Sequence, residues 1–138
     1  TNITVLDISS AALAEAKART NSELVHWTVA DITRWNPPQQ FGLWHDRAVF
    51  HFLVDTEQQQ DYLKTVKHGT QSGSYIVMAT FAPDGPEMCS GLPVRRWAAD
   101  ELANFFTKDF SLLKTERNLH TTPWGSTQSF TWLVLRRN

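Results

Sequence analysis

The sequence has few of the features that mark specialised classes of protein. Its single cysteine, Cys89, excludes a disulfide within the chain, and such sparing use of cysteine predicts a reducing, cytoplasmic location. The formal net charge of -1 gives no strongly basic surface, so neither nucleic acid nor a membrane is expected as a partner. No apolar run approaches the roughly 20 residues that cross a bilayer. A length of 138 residues predicts one domain, 1–138.

Glycine is scarce and scattered. The six glycines lie at least four residues apart, so the pattern G-x-G occurs nowhere. A glycine-rich loop that brings backbone N–H groups close to a ligand is therefore not expected. Hydrophobic residues at 41% and aromatic residues at 12% predict a packed core rather than a disordered chain.

What the sequence does contain is an alternation of apolar runs and helix-forming segments. Strands are predicted at 3–7, 24–29, 41–49, 74–81, 110–118 and 129–136. Helices are predicted at 11–19, 56–68 and 98–108. The order predicts an α/β sandwich around a mostly parallel sheet that ends in an antiparallel hairpin.

Two segments of this pattern carry further expectations. The run SYIVMATF (74–81) is continuously apolar, which is typical of a strand covered on both faces. The segment 82–96 holds three prolines and two glycines and is long for a simple connection, so a functional loop is expected there.

Acidic residues follow the first two predicted strands. Asp7 ends the first strand and Asp31 comes shortly after the second. Ligands of open α/β sheets bind at the carboxyl ends of strands, where one acid can accept two ribose hydroxyls and a neighbouring acid an exocyclic amine. Alternatively, Asp7 is solvated or precedes a helix cap at Ser9, and Asp31 only starts a turn.

A second polar group ends the third predicted strand. Because strand residues alternate between faces, either His45 and Arg47 or Asp46 alone can face a crevice there. The alternative is an internal ion pair.

His51 lies among apolar residues and is predicted to be a packed core histidine. No histidine has a partner at metal-ligand spacing and Cys89 has no adjacent base, so neither a metal nor a cysteine nucleophile is expected.

Several blocks resemble one family. FGLWHDRAVFHFL, followed by a helix and by VKHGTQSGSYIVMATF, resembles the fourth and fifth strands of class I S-adenosylmethionine-dependent methyltransferases. VLDIS and VADIT resemble the second and third strand ends, and TPWGSTQSF resembles the last hairpin of some small bacterial members. Ser72-Gly73 replaces the usual glycine pair, and Gly42 stands where many members carry Asp. The resemblance extends over nearly the whole chain.

The resemblance implies a Rossmann-like methyltransferase sheet that lacks the first strand and helix, since the family's first strand and glycine loop have no counterpart here. It implies S-adenosylmethionine as cofactor and a small-molecule methyl acceptor. The implied cofactor-binding residues are Asp7, Ile8, Asp31, Ile32, Asp46 and Arg47.

The same resemblance implies individual roles. Asp7 would bind the ribose hydroxyls, Ile8 would pack on the adenine, and Asp31 would meet its amino group. His45 or Asp46 would be the catalytic base where the acceptor needs one. The segment 82–96 and the turn around Trp124 would shape the acceptor pocket.

Three explanations of the missing first strand are open. The chain is a piece of a longer enzyme, or the strand 3–7 moves beside the strand 41–49, or a second copy fills the gap in a homodimer. In each case we expect cofactor binding no tighter than the high-micromolar range, with little or no activity from this chain alone.

Two other functions are compatible with parts of the pattern. One is a non-catalytic assembly or binding module that oligomerises through exposed sheet edges. The other is a nicotinamide-dependent oxidoreductase, in which an acid after the second strand also binds ribose. The antiparallel last strands and the Lys-x-Gly turn at 67–69 disfavour the oxidoreductase.

Overall fold

The structure, a computed structural model, describes residues 2–21 and 23–138. Its strands are β1 (Ile3–Asp7), β2 (Val25–Val29), β3 (Phe41–Arg47), β4 (Thr70–Phe81), β5 (Met88–Cys89), β6 (Leu92–Pro93), β7 (Phe110–Thr121) and β8 (Thr127–Arg137). Its helices are α1 (Ser10–Arg19), α2 (Thr56–His68) and α3 (Ala99–Phe106), with a 3₁₀ turn at Phe50–Phe52. None of these helices is long and apolar enough to cross a membrane.

The first part of the chain is a β-α-β unit. Strands β1 and β2 pair in parallel, with Ile3 opposite Val25 and Asp7 opposite Val29. Helix α1 begins where the Ser9 hydroxyl accepts the N–H of Ala12 at 3.2 Å, as expected for a serine cap. The predicted parallel pairing of the first two strands is confirmed.

The rest of the chain forms a four-stranded mixed sheet in the order β3-β4-β8-β7. Strands β3 and β4 are parallel, whereas β4 with β8 and β8 with β7 are antiparallel. The antiparallel C-terminal hairpin is confirmed, but the expectation of a mostly parallel sheet is wrong for these four strands. Within the segment 82–96, which was expected to be a loop, the chain also forms the short antiparallel pair β5–β6.

Helices α2 and α3 cover one face of the four-stranded sheet, and the core lies between these helices and the sheet. It is built from the inward side chains of alternate strand positions and of both helices: Trp44, Ile76, Met78, Leu133, Leu135, Tyr62, Val66, Leu102 and Phe106. Its aromatic members stack closely, with the rings of Phe50 and Tyr62 centred 4.8 Å apart. This packing positions the end of β3, where the candidate site begins.

The other face of the same sheet is only partly covered. Leu43 is 60% exposed and Tyr75 45% exposed, and Trp132 and Val134 are half-buried around a shallow recess of about 310 Å³. The expectation that the strand 74–81 is covered on both faces is therefore wrong for its first half. An apolar run shows that both faces of a strand tolerate burial, but not that both faces are packed.

The two sheets do not join within the described part of the chain. Strand β1 pairs only with β2, and β3 is an edge strand that pairs only with β4. The explanation in which the strand 3–7 moves beside the strand 41–49 is therefore wrong. The edges of β1 and β3 that face away from their partners carry unpaired backbone groups, which favour the addition of another strand.

Candidate functional site

The carboxyl ends of β1 and β2 lie side by side. Asp7 is opposite Val29 in the pairing, and the N–H of Ala30 donates to the carbonyl oxygen of Asp7 at 3.1 Å. The Oδ1 of Asp7 accepts the N–H of Ser9 at 2.8 Å. Its Oδ2 takes no hydrogen bond from the described residues. The carboxylate is thus oriented by the start of α1 and keeps one oxygen available.

Asp31 follows the end of β2 and is fixed in a similar way. Its Oδ1 accepts the N–H of Thr33 at 2.9 Å and the Thr33 hydroxyl at 2.7 Å. These two bonds, the hydroxyl first, lower the pKa of Asp31, so the group is ionised at neutral pH. Within the described part of the chain its Oδ2 has no donor. Asp31 therefore starts a turn, as one of the two interpretations expected, and its role as a ligand-binding residue stays a prediction.

The two isoleucines beside these acids differ. Ile8 is 72% exposed, next to Asp7. Ile32 is half-buried and packs against the core under the helices. Ile8 therefore has an open apolar surface that a flat ligand can cover, whereas Ile32 links the β1–β2 unit to the main core.

The three polar residues at the end of β3 are separated by strand alternation. His45 and Arg47 are exposed, on the partly covered face, whereas Asp46 is only 5% exposed. The His45 ring is centred 6.3 Å from that of Trp132. Of the two predicted arrangements, the structure has the one in which His45 and Arg47 share a face.

Asp46 is held within the core by three donors. Its carboxylate accepts the N–H of Val49 at 3.0 Å, the N–H of Phe50 at 3.2 Å and the hydroxyl of Tyr62 at 2.5 Å. Burial raises the pKa of Asp46, although these three bonds act in the opposite direction. Both of its oxygens are engaged and it is almost fully buried, so neither predicted role fits this geometry. Asp46 is not placed to serve as a base or to contact a cofactor; it holds the turn after β3.

That turn contains a strained residue. Ala48 has φ of 64°, a left-handed conformation that is uncommon for residues other than glycine, and its N–H donates to the carbonyl of Ala79 at 2.9 Å. Such a conformation costs about 1–3 kcal/mol and persists only when its surroundings impose it. Here the carboxylate of Asp46 imposes it, because it accepts the N–H groups of Val49 and Phe50, the two residues after Ala48. The strain ends β3 at Arg47 rather than at residue 49, and nothing in the sequence signals it.

A cavity of about 230 Å³ opens beside Ala48. We call it the Arg47 cavity. It lies where the ends of β3, β4 and β7 meet the start of β8 and the β5–β6 pair. Its walls are Arg47, Ala48, Phe81, Cys89, His120, Thr122, Pro123, Trp124, Gln128 and Phe130. The two segments that were expected to surround an acceptor, 82–96 and the turn at Trp124, both line it. Sequence reasoning did not single out Gln128 or Phe130, since a strand residue gives no sign of which cavity it borders.

His51 lies away from this cavity's wall, in the core. It is fully buried, and its Nδ1 accepts the N–H of Phe81 at 3.2 Å. Burial lowers the pKa of His51 from 6.5 to about 4. The prediction of a packed core histidine is confirmed. Among residues 2–21 and 23–138, no group of three or more metal-binding side chains could hold an ion.

Comparison with known proteins identifies the fold. No family model matches the chain, and no curated protein matches it. Among solved structures, the N-methyltransferase NodS from Bradyrhizobium japonicum WM9 with bound S-adenosyl-L-homocysteine is similar at a TM-score of 0.78 and 14% identity. A Mesorhizobium loti S-adenosylmethionine-dependent methyltransferase is similar at 0.78 and 17%. The Burkholderia thailandensis 1,6-didemethyltoxoflavin-N1-methyltransferase, with 1,6-didemethyltoxoflavin and S-adenosylhomocysteine bound, is similar at 0.76 and 16%.

Each of these similarities covers 99% of the chain. In the other direction, the chain spans 66% of NodS, 80% of the Mesorhizobium protein and 61% of the Burkholderia enzyme. The chain is thus shorter than these neighbours, and at such low identity the likeness establishes the fold alone. It has the α/β fold of S-adenosylmethionine-dependent methyltransferases.

Proposed function

We propose that the chain functions in S-adenosylmethionine-dependent methyl transfer to a small molecule, and that by itself it holds the cofactor only by the adenosine end. The observation that carries this proposal is the pair of carboxylates, Asp7 and Asp31, at the adjacent carboxyl ends of β1 and β2. Each is oriented through Oδ1 by a neighbouring backbone N–H and keeps Oδ2 available.

The residues present fit one half of the cofactor. A free carboxylate oxygen on Asp7 suits ribose hydroxyls, one on Asp31 suits an amino group, and the exposed Ile8 suits a flat base. The other half has no comparable support, since no glycine-rich stretch exists in the sequence to bring backbone N–H groups close to it. This imbalance supports weak binding.

When bound, the cofactor would supply a methyl group on a sulfonium sulfur; an acceptor's lone pair would bond to the methyl carbon while the carbon–sulfur bond breaks and S-adenosylhomocysteine leaves. The chain's own contribution is alignment and exclusion of water. Asp46 holds the turn that places Arg47 and Ala48 at the cavity wall. Of the two residues expected as a base, only His45 has an exposed side chain, so we retain His45 alone for an acceptor that must lose a proton.

Saturation-transfer NMR with S-adenosylhomocysteine tests this proposal, because it detects weak ligands proton by proton. We expect the adenine and ribose protons to receive the most saturation and the homocysteine protons the least. Asp7→Asn removes a charged acceptor and is expected to weaken binding about tenfold or more. Asp55→Asn, a change at an exposed aspartate that caps α2 without a side-chain bond, is the matched control. A low-micromolar dissociation constant, or an Asp7→Asn variant that binds normally, would contradict the proposal.

A second candidate is an assembly module, and the split sheet favours it. A second copy could add strands at the free edges of β1 and β3, and it could pack against the open face around Leu43 and Tyr75. Under this proposal the chain is a homodimer, and Leu43→Lys is expected to shift it towards monomer. Light scattering during gel filtration measures the mass, and a strict monomer at all concentrations refutes the homodimer.

A further inference from the structure

The Arg47 cavity has an unbalanced charge. None of its lining residues is Asp or Glu, and Arg47 is its one permanently charged group. The remaining polar side chains are His120, Gln128, Thr122 and Cys89. A cavity with a fixed positive charge and no lining carboxylate favours a ligand that brings a negative charge.

Arg47 is held in place without using its hydrogen-bond donors. Its guanidinium carbon lies 5.1 Å from the centre of the Phe130 ring, a cation–π contact that orients the group. Within residues 2–21 and 23–138 the Arg47 guanidinium makes no ion pair or hydrogen bond. The planar guanidinium therefore presents a free fork of N–H donors, which matches the geometry of a carboxylate or another oxyanion.

The neighbouring arginines differ from Arg47 in this respect. Those in the segment 82–96 and in β7 all have polar protein partners: Arg95 with Gln59, Arg96 with Glu87, and Arg117 with Asp84 and Ser129. Arg95 joins the segment 82–96 to α2, Arg96 bonds within that segment, and Arg117 joins it to the hairpin. The structure thus leaves one arginine at this end of the sheet uncommitted, and that arginine lines the cavity.

The cavity also offers aromatic surface. The rings of Phe81 and Phe130 are centred 5.0 Å apart in its wall, and His120 lies edge-on to Phe130 at 6.4 Å. Trp124 is 78% exposed at the rim. The turn that carries it is well hydrogen-bonded, since Thr122 donates its N–H to the carbonyl of Ser126 at 2.8 Å. A large apolar ring held out of the core by an ordered turn is suited to covering a flat ligand.

Size limits the ligand further. The volume of about 230 Å³ lies just below the range of roughly 300–1,000 Å³ that is usual for small-molecule pockets. One ring with a small substituent fits such a volume, whereas a polymer does not.

We propose that the Arg47 cavity binds a small planar aromatic anion, a ring that bears a carboxylate or phenolate, with the anionic oxygens on Arg47 and the ring against Phe130 and Trp124. Its identity as the methyl acceptor rests on the proposed function; its binding does not. Where the anionic oxygen is itself the atom that takes the methyl group, that atom has already lost its proton. Such an acceptor needs no general base, which accords with the burial of Asp46 in the core.

Titration of the full chain with benzoate and salicylate tests the proposal, followed through the indole N–H resonance of Trp124, which Trp124→Phe identifies. Benzamide has the same ring without the charge, and cyclohexanecarboxylate has the same charge without the planar ring. We expect both to bind at least tenfold more weakly than benzoate. Arg47→Gln should weaken benzoate tenfold or more, and Arg47→Lys by a smaller factor, because a lysine keeps the charge but not the fork.

Arg136→Gln is the matched control, since Arg136 is also exposed and lies over an aromatic ring, that of Tyr75 at 6.0 Å, outside the Arg47 cavity. The melting temperature of every variant is compared with that of the unaltered chain. Equal affinity for benzoate and benzamide, or equal competition by inorganic phosphate, would overturn the proposal even if Arg47→Gln failed to fold. Aromatic anions that bind while S-adenosylhomocysteine does not would refute the proposed function and leave this inference standing.

Discussion

The β1–β2 unit and the four-stranded sheet differ in how many of their side chains are buried. In residues 2–21 and 23–30, Leu13 is the one buried side chain. In the four-stranded sheet, two helices and four strands enclose a continuous aromatic core. Asp7 and Asp31, the two acids proposed to bind the cofactor, lie in this thinly packed unit or just after it. The comparison teaches that the core stabilises the region proposed for the acceptor, while the region proposed for the cofactor depends on local hydrogen bonds.

The largest effect on stability is expected when a buried leucine is changed to alanine, and its size should differ between the two regions. Leu133→Ala, in the core of the main sheet, should lower the free energy of unfolding by about 2–5 kcal/mol because it leaves a cavity. Leu13→Ala should change global unfolding far less and instead reduce hydrogen-exchange protection in β1 and β2. Urea unfolding and amide exchange measure the two quantities. Equal losses of global stability would show that the chain unfolds as one unit.

Acid should act on the main sheet through His51, whose pKa burial lowers from 6.5 to about 4. Between these values the unfolded chain binds a proton that the folded chain does not, so the free energy of unfolding falls as the pH falls. The expected loss from this residue is about 3 kcal/mol by pH 4, with none above pH 6.5.

The raised pKa of Asp46 acts in the opposite direction, so the pH profile is read as a difference between variants. His51→Gln keeps an acceptor for the N–H of Phe81 and cannot be protonated. Its unfolding free energy should depend less steeply on pH from 6.5 to 4 than that of the unaltered chain. If the unfolding free energies of the variant and the unaltered chain depended equally on pH, the lowered pKa of His51 would be contradicted.

Tyr62→Phe should cost the main sheet about 1–3 kcal/mol, because it removes a donor from the buried carboxylate of Asp46. The same change should raise the pKa of Asp46 further and loosen the turn at Ala48. Chemical denaturation gives the first effect, and a shift of the Ala48 amide resonance the second. Phe105→Leu, at a half-buried ring without a hydroxyl, is a control for altered aromatic packing.

The smallest effect is expected in the β1–β2 unit. Ser9→Ala removes the cap of α1 and should lower the stability of that helix by about 0.5–2 kcal/mol. Because this unit has little buried surface, the loss should be seen in the exchange of α1 amides and not in the melting of the main sheet. Ser111→Ala, at an exposed hydroxyl on β7, is the matched control. If Ser9→Ala lowered the melting temperature of the main sheet and Ser111→Ala did not, the two regions would unfold together.

Local patterns predicted most of the elements well. The apolar run that ends at Asp7, the serine cap before α1 and the final hairpin were found where they were expected, because each depends on neighbours in the sequence. The errors came where distant contacts decide. Strand β3 stops at Arg47, where the carboxylate of Asp46 accepts the hydroxyl of the distant Tyr62 and also the N–H groups of the following turn.

Residue order alone was enough to give the succession of strands and helices and to place an acid at each of two neighbouring strand ends, since period and punctuation are local properties. It also restricted the triplet His45-Asp46-Arg47 to two arrangements. The arrangement that occurs depends on tertiary structure, because the hydroxyl of Tyr62 in α2 donates to the inward-facing carboxylate of Asp46. The free arginine, the strained alanine and the cavity between them follow from that choice, because each depends on side chains that lie far apart in the chain.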